Sequence, residues 1–285
     1  MGAVTAPAAT ILYDTVRWEE KALSEAARRA GADVRMLDCR SLSLDVDGEA
    51  RGYGTVLQRC VSYYRNVHST AALEGMGARV INCLRTGMLA GNKLYTHMLL
   101  RKAGVAVPRA TVSFSRDAAL GAAGRLGYPC VIKPTVGSWG RMISRLSGAE
   151  AASGILEMRE AMHPLYQVHY VEEFVKRPPR DIRAIVVGDR VVAAIYRHSD
   201  GWKTNMALGG RAEPCSVGAE MEDVCIRARD AVHGEIVGVD LMEDEARGLL
   251  VHEVNNTTEF KNTVRVCGVD IPSIMVSHAL EAGRR

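Results

Sequence analysis

A chain of 285 residues has room for roughly two or three compact lobes with real cores, and its 47% apolar and 24% charged residues are ordinary for a soluble globular protein. A net charge of +3, dispersed and without a basic arm or basic–aromatic interleaving, argues against a nucleic-acid binder. The 7 cysteines are widely spaced and form no C-x-x-C pair, which excludes the usual zinc and redox-dithiol patterns and fits reduced thiols in a cytoplasmic protein. No basic start precedes an apolar core and no apolar run approaches membrane length, so neither a signal peptide nor a membrane span is expected.

The chain opens with an expected strand at 10–13, an amphipathic helix at 18–30 stopped by Gly31, and a strand at 33–37. Strands at 56–61 and 79–82 follow, with a helix at 69–75 between them, giving a small parallel α/β layer. No G-x-G-x-x-G follows the first strand, so a dinucleotide site has no support. A helix at 91–103 carries Lys93 near its start and ends at Gly104; Ser115 caps another that runs to about 126 and breaks at Gly127-Tyr-Pro129. Strands near 129–133, 141–146 and 168–175, with a helix at 149–162, form a βαβ-like unit. Residues 185–195 read as a hairpin on a Gly188-Asp189 turn, and helices at 218–234 and 271–282 flank strands at 236–241 and 249–254.

The most informative stretch is Gly248-Leu-Leu-Val-His-Glu-Val-Asn-Asn-Thr-Thr-Glu-Phe-Lys-Asn262. Glu253 and Asn255 lie two apart in an apolar strand and so share a face. Two hard oxygen ligands there, completed by the lone Asp240 of the preceding strand, suit Mg²⁺ shared with phosphates. The bland alternative is that these residues merely end strands at the surface. Upstream, Lys133 closes the apolar strand Tyr128-Pro-Cys-Val-Ile-Lys133, a costly place for a cation unless an anion meets it. The loop after it, Val136-Gly-Ser-Trp-Gly-Arg141, offers two bare glycines, a hydroxyl and a guanidinium for phosphates, and is not a Walker loop. Taken alone, Lys93 reads as a solvated helix residue and Lys176, Arg177 and Arg180 as an exposed basic loop. His163, His169, His198 and His252 show no metal-ligand spacing and read as surface or satisfied core residues.

These two sites, in this order, resemble the ATP-grasp superfamily, and the likeness narrows to its RimK-like branch and there to the LysX-type ligases. It rests on Ile11-Leu-Tyr-Asp14, Arg59-Cys-Val-Ser62, Lys133-Pro134, Gly137-Ser-Trp-Gly-Arg141, Arg180-Asp-Ile-Arg183, Ala193-Ala-Ile-Tyr-Arg197, Glu253-Val-Asn255 and Glu259-Phe-Lys-Asn262. The resemblance implies an α/β ATP-grasp fold: an N-terminal pre-ATP-grasp parallel α/β domain over 1–88, a central domain with a mobile ATP-binding lid over 89–175, and a C-terminal α+β ATP-grasp domain over 176–285. It places Lys93, Lys133, Gly137, Ser138, Trp139, Gly140 and Arg141 on the nucleotide phosphates, with packing as the rival role for Trp139. Glu172, Glu173, Phe174 and Val175 become the adenine hinge, with Asp181, Arg183 and Asn205 also on the nucleotide side. Asp240, Glu253 and Asn255 become ligands of a pair of Mg²⁺ ions, and Lys133, Arg183 and Arg197 neutralise charge at the transferred group. Arg197, Met206, Ala207, Glu259, Phe260, Lys261, Asn262 and Thr263 fall to the substrate, with Phe260 more a packed anchor than a reacting group.

The implied activity is ATP-dependent ligation through an acyl phosphate. An amide would form between the terminal glutamate of a small acidic amino-group carrier protein and the α-amino group of 2-aminoadipate or glutamate, as in lysine or arginine biosynthesis. The implied assembly is a cytoplasmic homodimer or homotetramer. Two alternatives stay open: a RimK-like ligase that adds glutamate to another protein or peptide, and a non-catalytic nucleotide-binding regulator.

Overall fold

The computed structural model describes residues 7–137, 140–199, 201–202 and 211–284. The first unit comprises β1 (Ala9–Tyr13), α1 (Trp18–Arg29), β2 (Val34–Asp38), β3 (Thr55–Gln58), α2 (Tyr63–Gly75) and β4 (Val80–Ile81). Its strands make a parallel sheet in the order β2-β1-β3-β4. α2 starts six residues before the expected 69 because its inward face is polar: Asn66, Ser69 and Thr70 are buried beside Leu73. The Gln58 amide donates to the Ser69 and Thr70 hydroxyls at 3.0 and 2.9 Å, satisfying groups that an apolar-periodicity reading treats as solvent-facing. Two short helices, α3 (Leu84–Ala90) and α4 (Lys93–Lys102), lead out of this unit, the second capped by Asn92.

The central unit holds β5 (Ala110–Ser113), α5 (Arg116–Leu126), β6 (Cys130–Lys133), β7 (Ser144–Leu146), α6 (Ala149–Glu160) and β8 (His169–Glu173). The sheet order is β5-β8-β6-β7, and β7 and β8 both run antiparallel to β6. They are therefore parallel to each other and joined by α6, with β6 inserted between them. Strand alternation sorts the residues: Cys130, Ile132 and Val171 pack under α5 and α6 with Ala119, Ala123 and Leu156. Lys133, Tyr170 and Glu172 are left on the other face.

The third unit is an antiparallel sheet of β9 (Arg180–Val187), β10 (Arg190–His198), β11 (Arg211–Cys215), β12 (Ile236–Asp244) and β13 (Gly248–Asn255), in the order β11-β10-β9-β12-β13. β9 and β10 turn on Gly188-Asp189, where Gly188 takes φ +61°. α7 (Ala219–Ala231) covers one face, burying Ile182, Ala184 and Val186 of β9 with Val237, Val239 and Leu241 of β12. On the opposite face Ile185 and Val187 join Leu23 of α1 and Met275 of α9 (Ile271–Ala282), so the first and third units share a core. The same face carries Asp181 and Arg183 at its other end. α8 (Lys261–Cys267) lies between β13 and α9. β5 and β11, not expected from the sequence, are short edge strands, and β11 contains Pro214, a residue sheets tolerate at an edge.

Candidate active site

The charged face of the third sheet, the Lys133 face of the central sheet and the loops of the first unit enclose a cleft of about 1130 Å³. On its floor Asp240 and Glu253 face each other in register across β12 and β13, with Asn255 one step further on the same face. Glycine is required at 238, two residues before Asp240, because a Cβ there would overlap the Thr258 hydroxyl and come within 3.3 Å of Arg183 Cδ. Arg183 donates to both Asp240 oxygens, at 2.8 Å through Nη2, and Arg197 Nη2 lies 3.0 Å from Asp240 Oδ2. Burial pushes the Asp240 carboxyl up, but the two guanidiniums outweigh it and hold it well below the usual carboxylate range. Arg197 also donates to Asp181, at 2.6 and 3.0 Å, so its fork is engaged by protein carboxylates.

Lys93 Nζ donates to Glu253 at 3.1 Å and to the Gly137 carbonyl at 2.7 Å, joining the loop after β6 to the floor. Burial would raise the Glu253 pKa, but Lys93 opposes it and the carboxyl is held below its ordinary value. The donor set fits Mg²⁺: two ionised carboxylates and the Asn255 side-chain amide, whose oxygen is a hard ligand, all on the cleft face. Among the described residues no group of three or more His, Cys, Asp or Glu is placed to hold a metal ion.

Lys133, 3% exposed, bonds to Glu172 and lies 3.3 Å from His252 Nδ1. Glu172 accepts from the Tyr170 hydroxyl at 2.7 Å, and that hydroxyl meets His97 Nδ1 at 3.1 Å. Burial favours the neutral acid at Glu172, and Lys133 overrides it; burial pushes His252 down to about 4, aided by Lys133, so its imidazole is neutral. Glu173 is held at the rim by the Arg109 backbone N–H at 2.7 Å and by Arg247 at 2.6 Å, which pins the hinge segment of Glu173, Phe174 and Val175 along the cleft.

At the start of α8, Glu259, Lys261, Asn262 and Thr263 line the cleft, while Phe260 is fully buried beneath Trp18, ring centroids 6.0 Å apart. Glu19 accepts from the backbone N–H groups of Phe260 and Lys261 at 3.2 and 3.1 Å, tying α1 to the start of α8. Gly137 and Gly140 line the cleft; Arg141 is an exposed residue outside its lining. Ser138, Trp139, Asn205, Met206 and Ala207 lie outside the described residues.

Sequence reasoning passed over several groups. Arg177, read as part of an exposed loop, lines the cleft and donates to the Trp202 carbonyl at 3.3 Å. Asp14, Arg17 and Arg65 line it from the first unit, where only the long-range fold could place them. His252, read as surface or satisfied core, faces the cleft because the β12–β13 register shifts by one residue beside Asp240. A bulge of this kind leaves little trace in a single sequence.

The RimK-like ATP-grasp domain family matches residues 90–279, and the LysX preATP-grasp domain matches residues 9–89. The chain is 37% identical over 272 residues to the alpha-aminoadipate–LysW ligase LysX of Sulfurisphaera tokodaii, covering 93% of this chain and 95% of that one. It is 31% identical over 271 residues to the glutamate–LysW ligase ArgX of Sulfolobus acidocaldarius, covering 94% and 96%. The crystal structure of a RimK domain ATP-grasp protein from Sphaerobacter thermophilus superposes with a TM-score of 0.77 at 21% identity over 95% of this chain and all of that one, a likeness of fold. With both of its parts matched and its cleft carrying the expected charged floor, the chain belongs to the RimK-like ATP-grasp family.

Proposed function

We propose that this ATP-dependent carboxylate–amine ligase joins an acidic amino acid, 2-aminoadipate in the first place, to the terminal glutamate side chain of a LysW-type carrier protein. The observation that carries the reading is the meeting, in one cleft, of the Asp240–Glu253–Asn255 floor with Lys133 and Arg183, Lys93 being joined to it through Glu253. Identities of 37% to a LysX ligase and 31% to an ArgX ligase support 2-aminoadipate ahead of glutamate.

In the proposed sequence an oxygen of the carrier carboxylate attacks the γ-phosphorus of ATP, the bond from phosphorus to the β,γ-bridging oxygen breaks, and ADP leaves. The amine nitrogen then attacks the acyl carbon, the bond to the phosphate oxygen breaks, the nitrogen loses a proton, and phosphate is released. Lys133 and Lys93 hold the phosphate oxygens, while Arg183 and Arg197 place positive charge beside the transferred group. The hinge of Glu172 to Val175 fixes the nucleotide base, and the walls of the cleft keep water from the acyl phosphate. A pair of Mg²⁺ ions held by Asp240, Glu253 and Asn255 would supply further positive charge on the phosphate oxygens. Arg197 and the segment from Glu259 to Thr263 select the amino acid; because Asp181 already engages Arg197, that selection requires the arginine to trade a protein carboxylate for the ligand's.

Intact-mass measurement of the carrier after incubation with ATP and each amino acid tests this. Mass additions with 2-aminoadipate or glutamate, and none with leucine or lysine, are expected. Equal attachment of neutral amino acids would remove the substrate assignment, and no ATP-dependent product would remove the ligase reading.

A further inference from the structure

We infer that His252 is a positioning residue that aims the Lys133 ammonium at the nucleotide. The inference deepens the proposed function and rests on its nucleotide reading. Three observations converge on it.

The first is the backbone. On β13, Leu249 and Val251 pack toward the α7 core, and so does Val254. Simple alternation would then place 253 with 249 and 251 in the core, and 254 opposite. The register shift, with Asp240 opposite Glu253 but Leu241 opposite Val251, leaves His252 without a partner on β12. The extra residue puts His252 and Glu253 side by side on the cleft face. Without the bulge the metal-ligand pattern and the core pattern could not both be met, and the imidazole would not reach Lys133.

The second is the direction of the hydrogen bond. An ammonium has donors only, so Nδ1 of His252 must accept from Lys133 Nζ across their 3.3 Å contact. Glu172 takes a second Lys133 proton. With two donors fixed on two sides, the third is the one left for the cleft that Lys133 lines.

The third is topology. Lys133 and Glu172 belong to the central sheet, whereas His252 belongs to the sheet that bears Asp240 and Glu253. Through His252 the ammonium is registered against the floor as well as against its own strand. Glu172 alone, held by Tyr170 and through it His97, could set only the position of Lys133 within the central unit.

The test uses the full chain with His252→Asn, His252→Gln and His252→Leu. The Asn oxygen replaces Nδ1, the Gln side chain reaches toward Nε2, and Leu offers no acceptor. Calorimetric titration with a non-hydrolysable ATP analogue and Mg²⁺ should show H252N within about threefold of wild type. H252L and H252Q should be weakened at least about tenfold, the loss expected for one hydrogen bond to a charged group. In turnover the KM for ATP should rise more than kcat falls, because the contact is already made to bound nucleotide. Should H252L fail to fold, the comparison of H252N with H252Q carries the test. Affinity of H252L within about twofold of wild type, or equal losses in H252N and H252Q, overturns the inference. Wild-type protein that binds no analogue overturns the nucleotide reading itself.

Discussion

Asp240 carries two arginines as well as its expected metal role, and the two duties separate by mutation. Asp240→Ala would leave Arg183 and Arg197, with side chains only 13% and 12% exposed, facing each other without their shared carboxylate. Removing one partner of a buried ion pair costs about 3–5 kcal/mol, so D240A should lose stability as well as turnover. Glu253→Ala, whose partner Lys93 sits at a helix start and keeps the Gly137 carbonyl, should lose turnover by over about a hundredfold with little loss of stability. Denaturant titration beside steady-state rates checks the pair; equal stability losses in both would refute the distinction. At this scale the sequence pointed to Asp240, Glu253, Asn255 and Lys133, which the structure brings into one cleft, because a hard-ligand pair at strand spacing and a lysine in an apolar strand are local signals. Arg197's engagement by Asp181 and the pairing of Lys133 with Glu172 were hidden, since each partner comes from a strand separated in sequence.

Among the elements, β12 depends on Gly238 for the close passage of Arg183. Gly238→Ala would drive a methyl group into Thr258 and Arg183 and displace the guanidinium from Asp240. Overpacking of this kind costs about 1–3 kcal/mol. Turnover should fall by more than about tenfold, since small misplacements at a reacting site are expensive. Wild-type kcat in G238A would mean that Arg183 is not held there for catalysis. Most elements were legible from periodicity and stop signals: Gly31 and Gly104 end their helices, and Gly188-Asp189 turns its hairpin. α2 was read short because its buried face is made of Asn66, Ser69 and Thr70, and α8 was missed because only Thr263 of its seven residues is buried. A bulge such as that at His252 changes the face a residue occupies without changing composition, and hydrophobic patterning cannot register it.

For the whole molecule, the chain of His97, Tyr170, Glu172 and Lys133 ties α4 to the central sheet and sets the pH response. Burial holds His97 below its ordinary value, and Glu172 is held below its own because Lys133 outweighs the burial that would raise it. Both folded values are depressed. Their stabilisation is therefore complete above the unfolded values, near pH 6.5 for histidine and 4.3 for glutamate, and is lost as pH falls through the folded ones. The thermal midpoint should be lower at pH 4.5 than at pH 7.5, the interval in which His97 and His252, both held down by burial, lose their stabilisation, whereas the Glu172 share is lost only below about pH 4.3. An unchanged midpoint across this range would show that the two buried histidines do not govern acid sensitivity. The resemblance implied three units, whereas the shared core of α1, α9 and β9 was not legible, because its members span nearly the full length of the chain.

Lys93 touches both Gly137 and Glu253, and Arg183 and Arg197 sit on Asp240, so both floor carboxylates are already neutralised within the protein. A divalent cation arriving alone must compete with these resident cations, leaving Lys93 only the Gly137 carbonyl and Arg197 only Asp181. A cation arriving on a polyphosphate brings acceptors for the displaced ammonium and guanidinium groups. On the proposed function the cleft would act as an ion exchanger that discriminates by cargo, favouring metal that arrives with nucleotide over metal by itself. Lys93→Met should therefore tighten the binding of Mg²⁺ alone while weakening that of the ATP analogue with Mg²⁺, two opposite changes that calorimetry reads on the same protein. Parallel changes in both would mean that Lys93 does not act as the counter-ion of Glu253.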